Sequence, residues 1–364
     1  MNHHDPALQV LIDRVQSARA AGAQLCIRGG GTKDFYGQVP QGEPLDTRVL
    51  EGTSSYEPTE LVVTTRCGTA LAELEALLAT KGQCLPFEPP HFGAGATVGG
   101  MVAAGLAGPS RAAAGSVRDH VLGATLLNGK GEVLSFGGQV MKNVAGYDVS
   151  RLLAGSMGTL GVILEVSLKV LPVAPATLTL RMEMGQARAI TELNTWGGRA
   201  LPLNASAWWD GNLILRLRGA LAAVQAARAT IGGQVVEPQF ASPFWAGLRD
   251  HTDEFFAGAH AAVRGGAALW RLSLPSTAAP LTLSGELLIE WGGAQRWLCS
   301  AMPAGAVRDA TTKAGGHATL FAAQDKSPGA FAPLQSPLDR IHRELKKAFD
   351  PAGIFNPGRL YPGL

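Results

Sequence analysis

The sequence predicts an α+β protein with more than one domain, and three observations lead to this class. Helical and extended patterns alternate through the first 90 residues. Pro172 and Pro175 then interrupt the chain, and beyond them strand-like runs are joined by turns and separated by helices. The length of 364 residues allows two or three domains. We therefore place a domain boundary near residue 174.

The first part of the chain contains two units of helix and strand. Residues 6–21 carry apolar side chains at helical spacing, and Gly22 ends that predicted helix. Residues 24–28 form the next predicted strand. A run rich in β-branched residues at 61–65 predicts another strand, and the amphipathic stretch 69–82 predicts the helix that follows it.

Hairpins mark both parts of the chain. Residues 120–138 predict two strands joined at the turn Asn128-Gly129, and 205–219 predict two strands joined by an Asp-Gly turn. The other predicted elements are strands at 158–171, 268–274, 286–291 and 317–322, helices at 220–230, 243–256 and 303–313, and a C-terminal helix capped by Ser336 with Pro337 at its first position.

Composition excludes several classes of function. The net charge is only +2, so the sequence lacks the electrostatic footprint of a nucleic-acid or anionic-membrane binder. No apolar run reaches the roughly 18 residues of a membrane span, and no signal-peptide pattern opens the chain. We therefore expect a cytoplasmic protein. Four scattered cysteines predict neither a zinc site nor an iron–sulfur ligand set: Cys26, Cys67, Cys84 and Cys299.

Glycine is abundant, at 46 of 364 residues, and it is clustered. Three clusters lie beside apolar runs: 28-RGGGTK-33, 93-GAGATVGGMVAAGLAG-108 and 155-GSMGTLGVI-163. Glycine after a strand indicates positive φ or a close backbone approach, so each cluster is explained by a tight turn or by a loop whose amides bind an anion. Three such loops suit a long anionic cofactor. The pattern is neither a dinucleotide fingerprint nor a P-loop, which disfavours a nicotinamide or ATP site.

Four stretches carry a family resemblance. They are 28-RGGGTK-33, 96-ATVGGMVAAGLAGPSR-111, 142-KNVAGYDVSRLLAGSMGTLGVI-163 and 350-DPAGIFNPGRL-360. With them the sequence resembles the FAD-binding fold of vanillyl-alcohol oxidase and p-cresol methylhydroxylase (the PCMH type). Within that fold it is most similar to a family of FAD-binding subunits of glycolate oxidase (glycolate dehydrogenase).

The resemblance implies a fold and a division into domains. A two-subdomain PCMH-type FAD-binding domain is expected at 1–174. An α+β cap domain, ferredoxin-like, is expected at 175–330, and the C-terminal segment 331–364 is expected to return to the FAD-binding domain.

The resemblance also implies which residues contact FAD. The first loop would wrap the FAD pyrophosphate, with Arg28 either a nearby charge or the partner of a carboxylate. The residues implied for the cofactor are Arg28, Gly29, Gly30, Gly31, Thr32 and Lys33 in the first loop; Gly95, Thr97, Gly99 and Gly100 beside the pyrophosphate and ribose; Gly158, Thr159, Gly161 and Val162 on the adenine side; and Asn356 and Arg359 in the returning tail.

The sequence departs from the family pattern at three places. Relatives that oxidise 2-hydroxy acids by themselves often carry H-x-G-D-G-N-x-H in the cap, whereas this chain has 315-GGHATLF-321. One histidine cannot hold a divalent metal, so no metal is expected, and His317 becomes the candidate proton-handling residue. Met157 stands where many relatives have glutamate. The first loop has Thr32 after its glycines, in a region where relatives with covalently bound flavin often carry histidine. His91 is the only histidine near the cofactor segments, and we expect FAD to be bound without a covalent bond.

Two functions follow from the resemblance. In the first, the chain is the FAD-binding subunit of a multi-subunit glycolate oxidase, an FAD-dependent 2-hydroxy-acid oxidoreductase component that acts on glycolate or a similar acid such as D-lactate. In the second, it is a non-catalytic electron-transfer or structural flavin subunit, and a homologous partner oxidises the substrate. Both imply a second FAD subunit and an iron–sulfur subunit, through which the complex would lie at the inner face of the cytoplasmic membrane.

Overall fold

The structure is a computed structural model that describes residues 5–138 and 148–364. Part of one quoted motif, residues 142–147 with Lys142 and Gly146, lies outside the described residues. No helix in the described part is long and apolar enough to cross a membrane.

The described strands follow one another through both parts of the chain. They are β1 (Leu25–Arg28), β2 (Glu43–Asp46), β3 (Thr53–Glu57), β4 (Val62–Arg66), β5 (Gln83–Cys84), β6 (Val121–Leu127), β7 (Val133–Gly137), β8 (Val162–Lys169), β9 (Leu171–Pro172), β10 (Ala176–Glu183), β11 (Leu203–Trp209), β12 (Asn212–Gly219), β13 (Gln234–Val236), β14 (Ala268–Ser273), β15 (Glu286–Glu290), β16 (Gln295–Ser300) and β17 (His317–Ala322).

Helices are interspersed with these strands. They are α1 (Pro6–Ala21), α2 (Leu71–Ala79), α3 (Val98–Ala104), α4 (Arg111–Ala114), α5 (Val117–His120), α6 (Val149–Leu152), α7 (Gln186–Gly197), α8 (Leu221–Ile231), α9 (Pro238–Asp250), α10 (Glu254–Arg264), α11 (Ala304–Lys313) and α12 (Leu338–Phe349), with a short 3-10 turn at Trp291–Gly293.

An antiparallel sheet organises the first part of the chain. Among the described residues its order is β3-β4-β8-β6-β7. Helix α1 buries Leu8, Leu11 and Val15 in the core against it, because these side chains share one helical face. Asp5 caps α1 by accepting from the Ala7 amide at 2.9 Å, and Gly22 ends the helix at φ 65°, as predicted.

A small parallel pair carries the first glycine cluster. Strand β1 pairs with β2, and its last residue leads directly into the loop. The C-terminal tail lies along the other side of β1: the Leu25 amide donates to Ile354 at 2.7 Å, and the Asn356 amide donates to Leu25 at 2.9 Å. Residues from the two ends of the chain therefore build one structural unit.

A second, larger sheet occupies residues 176–322. Its order in the described chain is β13-β10-β12-β11-β15-β16-β14-β17. Strands β10 to β13 have the order 4-1-3-2 of a ferredoxin-like unit, and β14 to β17 repeat it in the opposite direction. The two units join where β11 pairs with β15. The ferredoxin-like expectation for this part of the chain is confirmed.

One face of this sheet, the inner face, packs against the first part of the chain. Trp297 and Phe321 of the sheet share a buried cluster with Tyr36, Ala104 and Met157. Ion pairs add to this contact, because Glu88 accepts from Arg216 at 2.6 Å and from Arg218 at 3.1 Å. These contacts describe how the two parts meet; the domain limits at 174 and 330 stay a prediction.

Two local predictions are wrong. The single helix expected at 243–256 is two helices, because His251 adopts a left-handed φ of 56° and ends α9 before Asp253 caps α10. Ser336 does not cap the last helix, where Pro337 takes the cap position with no side-chain hydrogen bond. The turns at Asn128 and at Asp210-Gly211 are confirmed, the latter with φ values of 46° and 75° that suit a tight hairpin.

Candidate cofactor site

The first two glycine clusters touch backbone to backbone. A Cβ placed on Gly30 would lie 1.6 Å from the carbonyl oxygen of Gly95, and one placed on Gly29 would lie 2.3 Å from Thr97 Oγ1. Gly31 has φ 72°, in the region that favours glycine. The glycines are therefore required by close packing as well as by the turn, and a side chain at position 30 has no space.

This contact forms a small cleft, which we call the glycine cleft. Its walls come from the first loop, from α3 and from the C-terminal tail. The lining residues are Ile27, Arg28, Gly29, Gly30, Gly31, Thr32, Lys33, Asp34, Thr97, Gly100, Ala103, Ala104, Met157, Asn356 and Arg359. Ten of the residues predicted from the sequence therefore line this cleft. Eight come from the first loop and the tail, and the other two are Thr97 and Gly100.

The first loop presents a run of unpaired donors. The amide groups of residues 29–33 donate to no acceptor within the described part of the chain, whereas the next amide, of Asp34, donates to Gly31 at 3.1 Å. Consecutive free N–H groups in a turn of this kind form an anion-binding concavity. The loop therefore has the donors that a phosphate group requires, in an arrangement that needs no side chain.

Arg28 forms an ion pair across this loop. Its guanidinium donates to Asp34 Oδ2 with Nε at 2.8 Å, and a Cβ on Gly31 would lie 2.3 Å from Arg28 Nη2. Of the two possibilities left open by the sequence, the partner of a carboxylate is the one the structure shows. Arg28 fixes the shape of the loop that it precedes.

Two residues of the C-terminal tail contact the loop through hydrogen bonds to its backbone. Asn356 accepts from the Ile27 amide at 2.7 Å and donates to the Met157 carbonyl at 2.6 Å. The buried Arg359 guanidinium donates to carbonyls of the loop, those of Lys33 at 3.2 Å, Asp34 at 3.1 Å and Gln38. Both side chains point their polar groups at backbone, so they shape the cleft by tying three segments together.

Lys33 is a partly buried cation without a carboxylate in hydrogen-bond contact. Its Nζ lies 3.3 Å from the His91 carbonyl, 3.4 Å from Thr32 Oγ1 and 5.5 Å from the centre of the Phe92 ring. Burial lowers the pKa of Lys33 to about 8, and the charge of Asp250 opposes this shift. An anion in the glycine cleft would stabilise the ammonium form.

Other sequence-predicted residues lie outside the lining of the cleft. Gly99 packs on Cys67, since a Cβ there would lie 2.7 Å from Cys67 Cβ. Gly158 faces Asn356 Nδ2, and Gly161 faces the Leu127 carbonyl. The positions that remain are Gly95, which packs on Gly30; Thr159, which is buried and donates to Ser156; and Val162, which is buried in β8. Contact of any of these with a cofactor stays a prediction.

His317 lies at the start of β17, on the inner face of the larger sheet. Its register partner is Ser273 of β14. Burial, followed by the charge of Arg271, lowers its pKa below the usual value for histidine. Within the described chain no group of three or more His, Cys, Asp or Glu side chains is arranged to hold a metal ion. The roles of His317 and of a metal stay predictions.

The sequence interpretation missed Met157 as part of this site. Its backbone has φ 53°, its side chain is buried, and it lines the cleft beside Ala104. The sequence signal was present, because Met157 stands between Ser156 and Gly158 in a glycine cluster. The sequence alone did not show that its carbonyl is the acceptor that fixes Asn356.

Comparison with known proteins agrees with this geometry. Residues 8–137 match the FAD binding domain family. The chain is 48% identical over 356 residues to the glycolate oxidase subunit GlcE of Escherichia coli (strain K12), with 98% of both chains covered. The glycolate oxidase subunit GlcD of Bacillus subtilis (strain 168) is 30% identical over 155 residues, which are 42% of this chain and 33% of that protein.

Two further comparisons define the extent of the likeness. A D-lactate dehydrogenase of Archaeoglobus fulgidus is 34% identical over 148 residues, 40% of this chain and 33% of that protein. The solved structure of an alkyldihydroxyacetonephosphate synthase superposes with a TM-score of 0.64 and 15% identity over 97% of this chain and 76% of that one. The latter likeness concerns the fold alone.

The fold and the glycine cleft define a flavoprotein of the PCMH type, whose cofactor is FAD. This confirms the fold class that the sequence predicts. The similarity to GlcE over nearly the whole chain is more specific. The chain belongs to the family of GlcE glycolate oxidase subunits.

The residues present fit the diphosphate of FAD. The cleft offers free amides on residues 29–33, the Thr32 hydroxyl and the partly buried ammonium group of Lys33. Free backbone donors beside a lysine suit a diphosphate, which needs hydrogen bonds and positive charge together. We therefore assign diphosphate binding to the first loop as a proposal for test.

We predict that Gly30→Ala abolishes FAD loading, because the new Cβ would overlap the Gly95 carbonyl. The measurement is the ratio of flavin to protein absorbance after purification, alongside far-UV circular dichroism. Gly305→Ala is the matched control, since Gly305 lies in α11 with open space around it. Normal flavin loading in Gly30→Ala would contradict the assignment of the loop.

We predict that FAD affinity falls as pH rises through about 8 and that Lys33→Met removes this dependence. Lys33 loses its proton in the free protein near that pH, whereas bound phosphate favours the charged form. At pH 7 the substitution should weaken FAD binding by about 2 kcal/mol, or roughly 30-fold in Kd. Fluorescence titration with FAD between pH 7 and 9.5 measures both effects.

Lys326→Met is the control for this experiment. Burial lowers the pKa of Lys326 to about 8 as well, but its Nζ donates to the carbonyls of Phe35 and Gly37 outside the cleft. Lys326→Met should keep the pH dependence. A flat pH profile in Lys326→Met together with a wild-type profile in Lys33→Met would refute the role given to Lys33.

Proposed function

We propose that this chain is the FAD-binding subunit of a multi-subunit glycolate oxidase that oxidises glycolate, or a similar small 2-hydroxy acid such as D-lactate, to the 2-oxo acid. The observation that carries the proposal is the similarity to a glycolate oxidase subunit across 98% of both chains. The glycine cleft supports it, because it supplies the donors that the cofactor of such a subunit requires.

The protein contributes binding and orientation. FAD, when bound, supplies a two-electron acceptor for the hydrogen on the α-carbon of the acid. The first loop holds the diphosphate, while Arg28, Asn356 and Arg359 keep that loop in shape through their contacts with Asp34, Ile27 and the loop carbonyls. The inner face of the larger sheet covers Ala104 and Met157 of the cleft wall and excludes water from that side.

We propose that FAD is bound without a covalent bond. His91, the histidine closest to the cofactor segments in sequence, places Nε2 at 2.9 Å from Glu75 Oε2, so this ring nitrogen already has a partner. Acid precipitation of the purified chain should release all flavin into the supernatant. Yellow colour that remains in the washed pellet would contradict this proposal.

We also propose that the chain acts in a complex with a homologous FAD subunit and an iron–sulfur subunit that receives the electrons. Both GlcE and GlcD are named as glycolate oxidase subunits, and this chain is similar to each. Such a complex would place the chain at the inner face of the cytoplasmic membrane through its partners. The domain limits at 174 and 330 belong to the same proposal. It also includes a proton-handling role for His317, which lies on the inner face of the larger sheet.

The proposal is tested by anaerobic stopped-flow reduction with glycolate and with D-lactate. We expect slow bleaching of the flavin band in the isolated chain and bleaching at catalytic rates, roughly 1–10³ s⁻¹, in the assembled complex. Fast bleaching in the isolated chain would overturn the need for partners.

A complex assembled with the Gly30→Ala chain is the control. If this chain takes part through its flavin, that complex should lose glycolate oxidation with a natural electron acceptor. Undiminished turnover would show that the chain is a structural subunit and that a homologous partner oxidises the acid.

A further inference from the structure

The second part of the chain contains a cavity of about 690 Å³ that shares no lining residue with the glycine cleft. It lies between the larger sheet, near the turn at Asp210, and the first turns of α9 and α10. Its lining residues fall between positions 179 and 288, so no residue of the first part of the chain lines it. We call this cavity the acidic groove, and its lining includes Arg181, Trp209, Asp210, Glu237, Phe240 and Asp253.

The walls of the acidic groove are largely apolar. Trp209 and Ile214 contribute from the sheet and Phe244 from α9. Phe240 of α9 also lines the groove, and it is 65% exposed. Among the described residues it is the one aromatic side chain that is exposed. An exposed aromatic ring beside an apolar cavity is typical of a surface that another protein covers.

Four carboxylates line the same groove, and none of them forms an ion pair in the described part of the chain. They belong to Asp210, Glu237, Asp253 and Glu254. Arg181, the basic residue of the lining, donates from Nε to Asn212 Oδ1 at 2.9 Å instead. The groove therefore carries an excess of negative charge, whereas the whole chain has a net charge of +2.

Asp253 is the carboxylate of this set that is partly buried; the other three are exposed. It caps α10 by accepting from the Phe256 amide at 3.2 Å. Burial raises the pKa of Asp253 to about 6, the hydrogen bond from Phe256 opposes this shift, and the charge of Glu254 adds to it. A cation in the groove would stabilise the charged carboxylate and offset the repulsion between the acids. The groove is therefore suited to a positive group that has an apolar neighbour.

The groove also lies beside an open edge of the larger sheet. In the described chain β13 is the last strand on that side, and it pairs with β10 alone. Its residues Gln234, Val235 and Val236 line the groove. The backbone groups along an unpaired edge accept an extended segment of another chain as an additional strand. This edge favours a protein segment over a small molecule as the occupant.

We propose that the acidic groove and the edge of β13 bind a segment of the homologous FAD subunit that carries lysine or arginine beside an apolar side chain. The apolar side chain packs on Phe240, and the cation pairs with the carboxylates of the groove. The inference rests on the proposed function for the existence of this partner. An iron–sulfur subunit has to approach the cofactor to receive electrons, and the groove has no residue in common with the glycine cleft.

The test measures binding of the FAD-loaded chain to the purified homologous FAD subunit, by sedimentation velocity and by biolayer interferometry. We expect Phe240→Ala to weaken binding by at least about tenfold, because a central aromatic side chain contributes this much to an interface. Phe240→Leu keeps an apolar contact and should bind within about threefold of the wild type. Leu221→Ala is the matched control, since Leu221 is 60% exposed on α8, outside the groove. Wild-type binding by Phe240→Ala would overturn the proposal.

A charge reversal tests the acids of the groove. Glu237→Lys combined with Glu254→Lys should weaken binding roughly tenfold at low salt and less at high salt, because salt screens exposed charges. Glu51→Lys combined with Glu60→Lys is the control, since it makes the same change of charge at exposed residues of the first part of the chain. Equal effects of the two double variants would show that only the net charge matters and would remove the assignment of the groove.

Other occupants give different results. If Phe240→Ala releases the iron–sulfur subunit and not the FAD subunit, or if it dissociates a self-associated form of the isolated chain, the choice of partner is wrong. FAD content and far-UV circular dichroism verify folding, and Phe240→Gln replaces Phe240→Ala if the latter loses its FAD.

Failure of the proposed function is distinguishable from failure of this inference. Loss of partner binding by Phe240→Ala, together with a wild-type complex that does not oxidise glycolate, refutes the function and keeps the interface. Unchanged assembly by Phe240→Ala and by the charge reversal, in complexes that oxidise glycolate normally, refutes the interface and keeps the function.

Discussion

The contact between Gly30 and the Gly95 carbonyl is the constraint on which the cofactor site depends. It brings the loop after β1 against the loop before α3 with no side chain between them. Because the loop is held by this packing and by Arg28, its amides from residues 29–33 need not bond to the protein and are left free within the described chain. Free donors held in place lose little entropy on binding an anion, which makes the loop preorganised for a diphosphate.

The C-terminal tail makes this arrangement possible. Asn356 ties Ile27 to Met157, and the buried Lys346 donates to Asp350, Thr159 and Phe355, so the tail is fixed to both β1 and the third glycine cluster. The larger sheet then closes over the same region with its inner face. Trp297 and Phe321 of that face pack with Ala104 and Met157 of the cleft wall, so the sheet and the cleft share one buried cluster.

The glycine loops were predictable from sequence because their requirement is local: positive φ and close approach select glycine whatever lies elsewhere in the chain. The strands and the turn at Asp210 were also predictable, because they too depend on the residues of a short local segment. The contacts of Asn356 with Ile27 and of Arg271 with Tyr36 join residues 329 and 235 positions apart, and no local pattern reports such pairs. The break at His251 was missed because the helical spacing continues across it.

Hydrogen exchange at the first loop tests the central claim most directly. Amide exchange followed by mass spectrometry, with and without saturating FAD, reports whether the free N–H groups of residues 29–33 become bonded. We predict rapid exchange in the FAD-free chain and slowing by at least about tenfold in the peptide that contains these residues when FAD is bound. Unchanged exchange in that peptide, in a chain fully loaded with FAD, would contradict the claim that this loop binds the diphosphate.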